Sequence, residues 1–237
     1  MWGLMVIEVF KLEIPENISF NELDKLMQYT DKEKQAKIKR FVIAEDKKRA
    51  LLAEVLKRAV ICDTLKVNND EIDFEYNKHG KPCLKHKPDF NFNISHSGKW
   101  IVCAMDCMPL GIDVEQIKPI DFDIVRRFFS KEECEYFSAC EENSKLSLFY
   151  SLWTLKESYI KAYGKGLAIP LASFTIKLTG DGISIKTEHE FNNCFFRQYC
   201  IDSNYKLAVC ALNDKFPQHI LSLSIEDICS MLSGNIV

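Results

Sequence analysis

Apolar and polar residues alternate from Leu4 to Phe10, a period of two that predicts a strand. The lysine-rich stretch from Thr30 to Arg40 predicts a charged helix or helical turn. From Asp46 the apolar residues Leu51, Leu52, Val55, Leu56, Ala59 and Val60 recur at threes and fours, which predicts a longer helix with one buried stripe and with Lys47, Lys48, Lys57 and Arg58 mostly off it. Strand patterns follow at Ile72 to Tyr76, Phe90 to Ile94 and Trp100 to Met105. Turn signals at His79-Gly80-Lys81-Pro82 and Ser95-His96-Ser97-Gly98 separate them.

The second half repeats the plan, with a short strand at Gly111 to Glu115, helices from Ile120 to Phe129, Ser130 to Cys140 and Ser144 to Tyr163, and then strands. Gly164 directly after Tyr163 has the place of a helix C-cap. Val102-Cys103-Ala104 recurs as Val209-Cys210-Ala211, and the same shift carries the strand around Ile112 back to Met5. Apolar strands share a small alphabet, so the recurrence has a chance reading; if it is a true repeat, the chain is two similar α+β halves, 1–109 and 110–237, joined near Pro109. A cleft between such halves is a natural ligand site.

A length of 237 residues supports a large core without staples, and 47% hydrophobic with 27% charged residues is an ordinary globular composition. The balance of 31 basic against 34 acidic residues argues against a general nucleic-acid binder, which needs a basic surface. Ten cysteines are scattered without a Cys-x-x-Cys pair or matching histidines, so they read as reduced thiols. The N-terminus lacks a cationic leader pattern, and no apolar run reaches the roughly 18 residues of a membrane span. The expectation is a cytoplasmic protein with no membrane contact.

In Gly111-Ile-Asp113-Val-Glu115 two carboxylates stand two apart on a strand, so both face one side and repel. The spacing suits a solvated acidic face, and it equally suits a divalent cation. With only oxygen ligands in view, Mg²⁺ or Mn²⁺ fits best. On the helix ending at Tyr163, Trp153, Glu157 and Lys161 share one stripe and Lys156 borders it. Glu157 and Lys161 there read as a surface ion pair, unless the helix packs beside the acidic strand and brings Glu157 up as a third carboxylate. Lys34, Lys37, Arg49, His96 and Lys161 could together hold a polyphosphate, although a solvated helix face explains most lysines of 32 to 40. Ser130-Lys-Glu-Glu133 is a capping-box pattern, which explains Glu133 structurally. No P-loop, Gly-x-Gly-x-x-Gly or Gly-x-Ser-x-Gly segment competes.

Taken in order, Phe92-Asn-Ile-Ser-His-Ser97, Gly111-Ile-Asp-Val-Glu115, Arg127-Phe-Phe-Ser-Lys131 and Trp153-Thr-Leu-Lys-Glu-Ser-Tyr-Ile-Lys161 resemble the hallmark segments of the Sfp-type 4′-phosphopantetheinyl transferases. The resemblance spans nearly the whole chain. It implies two α+β halves related by a pseudo-twofold, acting as a monomer with coenzyme A and Mg²⁺ in the cleft. By position it implies Asp113, Glu115 and Glu157 as metal carboxylates. Ser95, His96, Lys34, Lys37, Arg49 and Lys161 become phosphate contacts, and Lys81 and Pro82 the adenine-side turn. Glu133 matches a proposed general base, and Lys156 lies near the reacting centre with His96 and Lys161.

The implied reaction moves the 4′-phosphopantetheine arm of coenzyme A to a serine of an apo carrier protein and releases adenosine 3′,5′-bisphosphate. The carriers would belong to peptide, polyketide or fatty-acid synthesis. Phe122, Tyr136 and Phe137 are candidates for carrier docking, with core packing as their competing role. Two other functions remain as alternatives. One is a coenzyme A or nucleotide sensor without transferase activity, and the other is a structural partner of a synthase in which Asp113 and Glu115 form a mere acidic face.

Overall fold

A computed structural model describes residues 6–180 and 182–234. The first half runs β1 (Glu8–Glu13), α1 (Phe20–Met27), α2 (Lys32–Lys39), α3 (Ala44–Leu65), the hairpin β2 (Phe74–Tyr76) and β3 (Pro82–Leu84), then β4 (Asn91–Ser97) and β5 (Trp100–Asp106). The second runs β6 (Leu110–Gln116), α4 (Asp123–Phe128), α5 (Lys131–Ala139), α6 (Glu142–Tyr163), the hairpin β7 (Thr175–Thr179) and β8 (Gly182–Lys186), then β9 (Phe195–Tyr199) and β10 (Tyr205–Ala211). Each half is thus a strand, a 22-residue helix, a hairpin and two further strands. Leu4 and Met5, where the first strand was expected to begin, lie outside the described residues, and β1 starts at Glu8.

The sheets repeat as well. β5 lies antiparallel between β1 and β4, and β10 lies antiparallel between β6 and β9. In the two ladders Cys103 faces Phe10 and Cys210 faces Gly111, so the recurring Val-Cys-Ala segments hold the same place in both halves. The chain then returns to its start. β11 (Leu221–Leu223) pairs parallel with β1, and α7 (Ile225–Leu232) buries Ile228 and Leu232 in the first core against α3. The last elements of the expected second half, 110–237, thus pack on the first half. A short amphipathic helix has no apolar partner of its own and takes the nearest open core edge.

A third core lies between the sheets, where Ile7, Val9, Val102 and Ala104 meet Ile112, Val114, Leu207 and Val209. Its presence explains why all seven residues of β5 are buried, since α3 covers one face and the other sheet the second. The expected turn at residues 95 to 98 is shorter than the sequence suggested. Ser95, His96 and Ser97 extend β4, and the chain reverses at Gly98 with φ +53°.

Helix α6 crosses β6 so closely that a Cβ on Gly111 would lie 2.1 Å from the Ser158 carbonyl oxygen and 2.4 Å from the Ala162 nitrogen. Both obstacles are helix backbone and cannot swing aside. Gly111→Ala is expected to lower stability by about 3 kcal/mol, the upper end of ordinary overpacking, as read from the urea midpoint. The close approach brings the acidic face of β6 beside the Glu157 stripe of α6.

Candidate active site

The site begins where the two halves meet along the edge strands β4 and β6. Alternate residues of β4 face β6 and take the place of a main-chain ladder. The Ile112 N–H donates to Asn93 Oδ1 (2.9 Å), the Val114 N–H to Ser95 Oγ (3.3 Å) and the Gln116 N–H to Ser97 Oγ (3.0 Å). The two serines pass hydrogen bonds onward to the carboxylates, Ser95 to Asp113 Oδ1 at 2.9 Å and Ser97 to Glu115 Oε2 at 2.8 Å. The expected loop donors are strand residues that seam the halves together and orient the acidic pair.

From α6, Trp153, Glu157 and Lys161 face the same cleft. Lys161 Nζ donates to Asp113 Oδ1 (2.6 Å), Ser95 Oγ (3.1 Å) and the Ile112 carbonyl (3.2 Å). Lys161 therefore pairs with Asp113 of its own half, reaches Ser95 of the first half, and does not form the expected surface pair with Glu157. Burial raises the pKa of Asp113 against the opposing pull of Lys161 and Ser95. Burial and then the Asp113 charge raise Glu115, and the same two causes push Glu157 up to about 7.

Three mutually repelling carboxylates and one ammonium leave negative charge in a partly dry site. Asp113 is 3% exposed, and its Oδ2 is buried without a hydrogen-bond partner among the described residues. An orphaned hard oxygen beside two more carboxylates fits Mg²⁺ chemistry. Among the described residues no three His, Cys, Asp or Glu side chains stand together as a finished metal cage. Lys161 and the serine hydroxyls already engage Asp113 and Glu115.

The cleft of about 700 Å³ continues from these acids to Lys34, Lys37, Pro82 and His96. Lys34 lies 3.3 Å from Glu54, and Lys37 lies 2.7 Å from Glu33. Burial lowers the pKa of His96, and Lys161 and Arg49 add to the shift. Arg49 stands beside the cleft, held by Asp46 and the Gly98 carbonyl.

Glu54 and Lys57 line the cleft without having been expected there, and the expectation that Lys57 and Arg58 lie mostly off the buried stripe is wrong. All three are buried, with Glu54 accepting from Lys57 (2.8 Å) and Arg58 (2.8 Å) while also meeting Lys34. The signal was an acid three and four residues before two bases on an otherwise apolar helix.

Three expected site residues turn away from the cleft. Lys81 sends its ammonium to the carbonyls of Lys161 (2.7 Å), Leu110 (3.1 Å) and Ala162 (3.4 Å), so it ties the β2–β3 hairpin to the end of α6. Burial pulls its pKa down to about 8. Glu133 is 2% exposed, and its oxygens accept from the N–H groups of Ser130 (2.8 Å) and Ile176 (2.7 Å) and from Lys156 (2.6 and 2.7 Å). Lys156 is fully buried and also donates to the Phe174 carbonyl at 2.8 Å. The capping box at Ser130 forms with both of its bonds. With these contacts neither Glu133 nor Lys156, expected as the base and as a lysine near the reacting centre, lines the cleft among the described residues. Of the docking candidates, Phe137 is buried with the half-buried Phe122 edge-on at 5.1 Å, and Tyr136 is exposed.

Fold and cleft together define a two-half α+β protein that sets a row of cations beside a cluster of carboxylates. The chain belongs to the 4′-phosphopantetheinyl transferases. Residues 17–108 match the family described as 4′-phosphopantetheinyl transferase, N-terminal, and residues 109–210 match the 4′-phosphopantetheinyl transferase superfamily. The chain is 40% identical over 223 residues to the 4′-phosphopantetheinyl transferase Sfp of Bacillus subtilis (strain 168), covering 94% of this chain and 100% of that protein. It is 35% identical over 227 residues to the 4′-phosphopantetheinyl transferase gsp of Aneurinibacillus migulanus, with 95% of each chain covered. Among solved structures, the holo-[acyl-carrier-protein] synthase of Thermotoga maritima aligns with 44% of this chain and 62% of that chain, at 16% identity and a TM-score of 0.39. This protein is an enzyme that transfers phosphopantetheine from coenzyme A to apo carrier proteins.

Proposed function

We propose that the cleft between the halves carries this transfer, with the residues in the following roles. Lys34, Lys37 and His96 meet the phosphates of the nucleotide, and Lys161 meets the diphosphate, with Arg49 held just beside them. Asp113, Glu115 and Glu157 hold Mg²⁺, for which Mn²⁺ can substitute. When bound, the cation offsets the charge that develops on the attacked phosphate and the leaving group. Lys161 would then exchange Asp113 for a phosphate oxygen, and Ser95 and Ser97 would keep the acidic pair aimed into the cleft.

The proton of the carrier serine needs an acceptor at the cleft surface. Glu157 supports that role better than Glu133, because its carboxylate takes no hydrogen bond among the described residues and lines the cleft. A carboxylate has two oxygens, so Glu157 can face the cation with one and the serine with the other.

The observation that carries the reading is the convergence of Lys34, Lys37, His96, Asp113, Glu115, Glu157 and Lys161 on one cavity from four separate elements. The substrates are carrier domains of peptide, polyketide or fatty-acid synthases. The enzyme works as a cytoplasmic monomer without nucleic acid or membrane. Its ten free thiols and slightly acidic balance suit that setting.

Incubating an apo carrier protein with the full chain, coenzyme A and Mg²⁺ should add the mass of one phosphopantetheine to the carrier, and chelator should stop the gain. Coenzyme A binding without any mass gain would instead establish a sensor.

A further inference from the structure

Glu54 is a carboxylate at the cation end of the cleft, where an unpaired acid would repel an anionic ligand. It is 4% exposed on α3 and lines both the cleft and an adjoining cavity of about 500 Å³, and Lys34 lines the two with it. Its Oε1 accepts from Arg58 Nε at 2.8 Å, and its Oε2 accepts from Lys57 Nζ at 2.8 Å and lies 3.3 Å from Lys34 Nζ. Burial would push the carboxyl up, but the three bases, Lys57 foremost, hold it below its ordinary range. Of the three, Lys34 stands furthest off, and 35% of its side chain is exposed. It is the base with donors left for a ligand.

Lys34 needs this support because its helix has little else to place it. α2 has eight residues and buries Ile38, too little to hold its position alone. Its start is tied to α3 by charge. Asp31 caps α2 by accepting from the Lys34 N–H (2.7 Å), and its other oxygen accepts from Arg58 (2.9 Å). The second half builds the same junction with the charges exchanged. Ser130 caps α5, and Glu133, third in its helix as Lys34 is in α2, meets the buried Lys156 of α6. That pair is sealed in the core, whereas Lys34 opens on the cleft. The bases Lys34, Lys57 and Arg58 exceed the acids Glu54 and Asp31 by one charge, which leaves the junction ready for an anion. We propose that Glu54 is a positioning residue that aims Lys34 at the phosphates of coenzyme A and acts only through Lys34. The inference rests on Lys34 being a phosphate contact in the coenzyme A cleft, and it adds the residue that fixes that contact.

A double-mutant cycle on the full chain tests it, with calorimetry of coenzyme A binding in Mg²⁺. Glu54→Gln should weaken coenzyme A about tenfold, the scale of one charge-assisted hydrogen bond, and Lys34→Ala should do the same. In the Lys34→Ala background, Glu54→Gln should change binding by less than about twofold, because the lysine it positions is gone. In turnover each single variant should raise KM for coenzyme A while kcat stays within about twofold of the wild type. Charge alone predicts the opposite sign, since removing an acid beside a phosphate site favours the anion. Equal or tighter binding by Glu54→Gln would therefore overturn the proposal. A full loss from Glu54→Gln in the Lys34→Ala background would overturn it too, because the effect would then lie in the fold of α3. If circular dichroism showed Glu54→Gln unfolded, Glu54→Asp would take its place in the cycle with the same expectations, since it keeps the charge and draws the carboxylate back by one methylene. If Lys34→Ala alone left binding unchanged, the phosphate role of Lys34 would be misassigned and the positioning role would fall with it.

Discussion

Asp113→Asn should reduce carrier modification by about three orders of magnitude, as expected when several kcal/mol of charge stabilisation at the reacting phosphate is lost. The substitution keeps the size of the side chain and an oxygen for the Ser95 hydroxyl. It removes the negative charge that Lys161 and the proposed cation share. Single-turnover rates across a Mg²⁺ titration should show the loss at every concentration. Full activity would sink the metal assignment.

Stability should move the other way. Burial raises the folded pKa of Asp113 above 3.8, so the ionised form disfavours folding wherever the unfolded chain would carry that charge. Its cost is present at pH 7 and disappears below about pH 3.8, where both states hold the proton. In chelator at pH 7 the Asn variant should therefore melt no lower than the wild type, and in acid the two should converge. Loss of turnover without loss of Tm identifies a group kept for chemistry.

Much of the site was legible because its signals are local. A period of two placed Asp113 and Glu115 on one face of β6, and a period near four placed Trp153, Glu157 and Lys161 on one stripe of α6. Gly111 is the link between them, since only a residue without a side chain lets α6 lie against β6. What stayed hidden depends on contacts between residues distant in sequence. Nothing near Lys81 shows that its ammonium will find carbonyls some eighty positions on. Nothing near Leu221 shows that it will pair with Phe10. The expectation for Lys57 and Arg58 failed for another reason. A helical stripe assumes one wet face, and α3 is enclosed by the first sheet, α7 and the cleft wall, so its charges are buried against one another. The acidic pair on β6 was open to two readings for the same reason, and burial of Asp113 decided against a solvated face.

Glu133 and Lys156 make the sharpest case, because one motif supports a structural and a catalytic reading with opposite consequences. Both side chains are buried, and together they join the start of α5, the middle of α6 and the entry to β7. Lys156→Met should cost about 3–5 kcal/mol, since it strands the Glu133 carboxylate in the core without its counter-charge. Glu133→Gln should cost less. The amide oxygen can still accept from a backbone N–H, and Lys156, whose pKa burial already lowers to about 8, can shed its proton.

The double variant should recover most of the loss, because no uncompensated charge remains in the core. Urea unfolding measures these three numbers, and turnover at a temperature where every variant is folded completes the test. If the pair serves only to hold α6 in place, Glu133→Gln keeps kcat within a few-fold of the wild type. A collapse of kcat in Glu133→Gln at unchanged stability would return the carboxylate to the chemistry. It would then require Glu133 to leave the N–H groups of Ser130 and Ile176 during turnover.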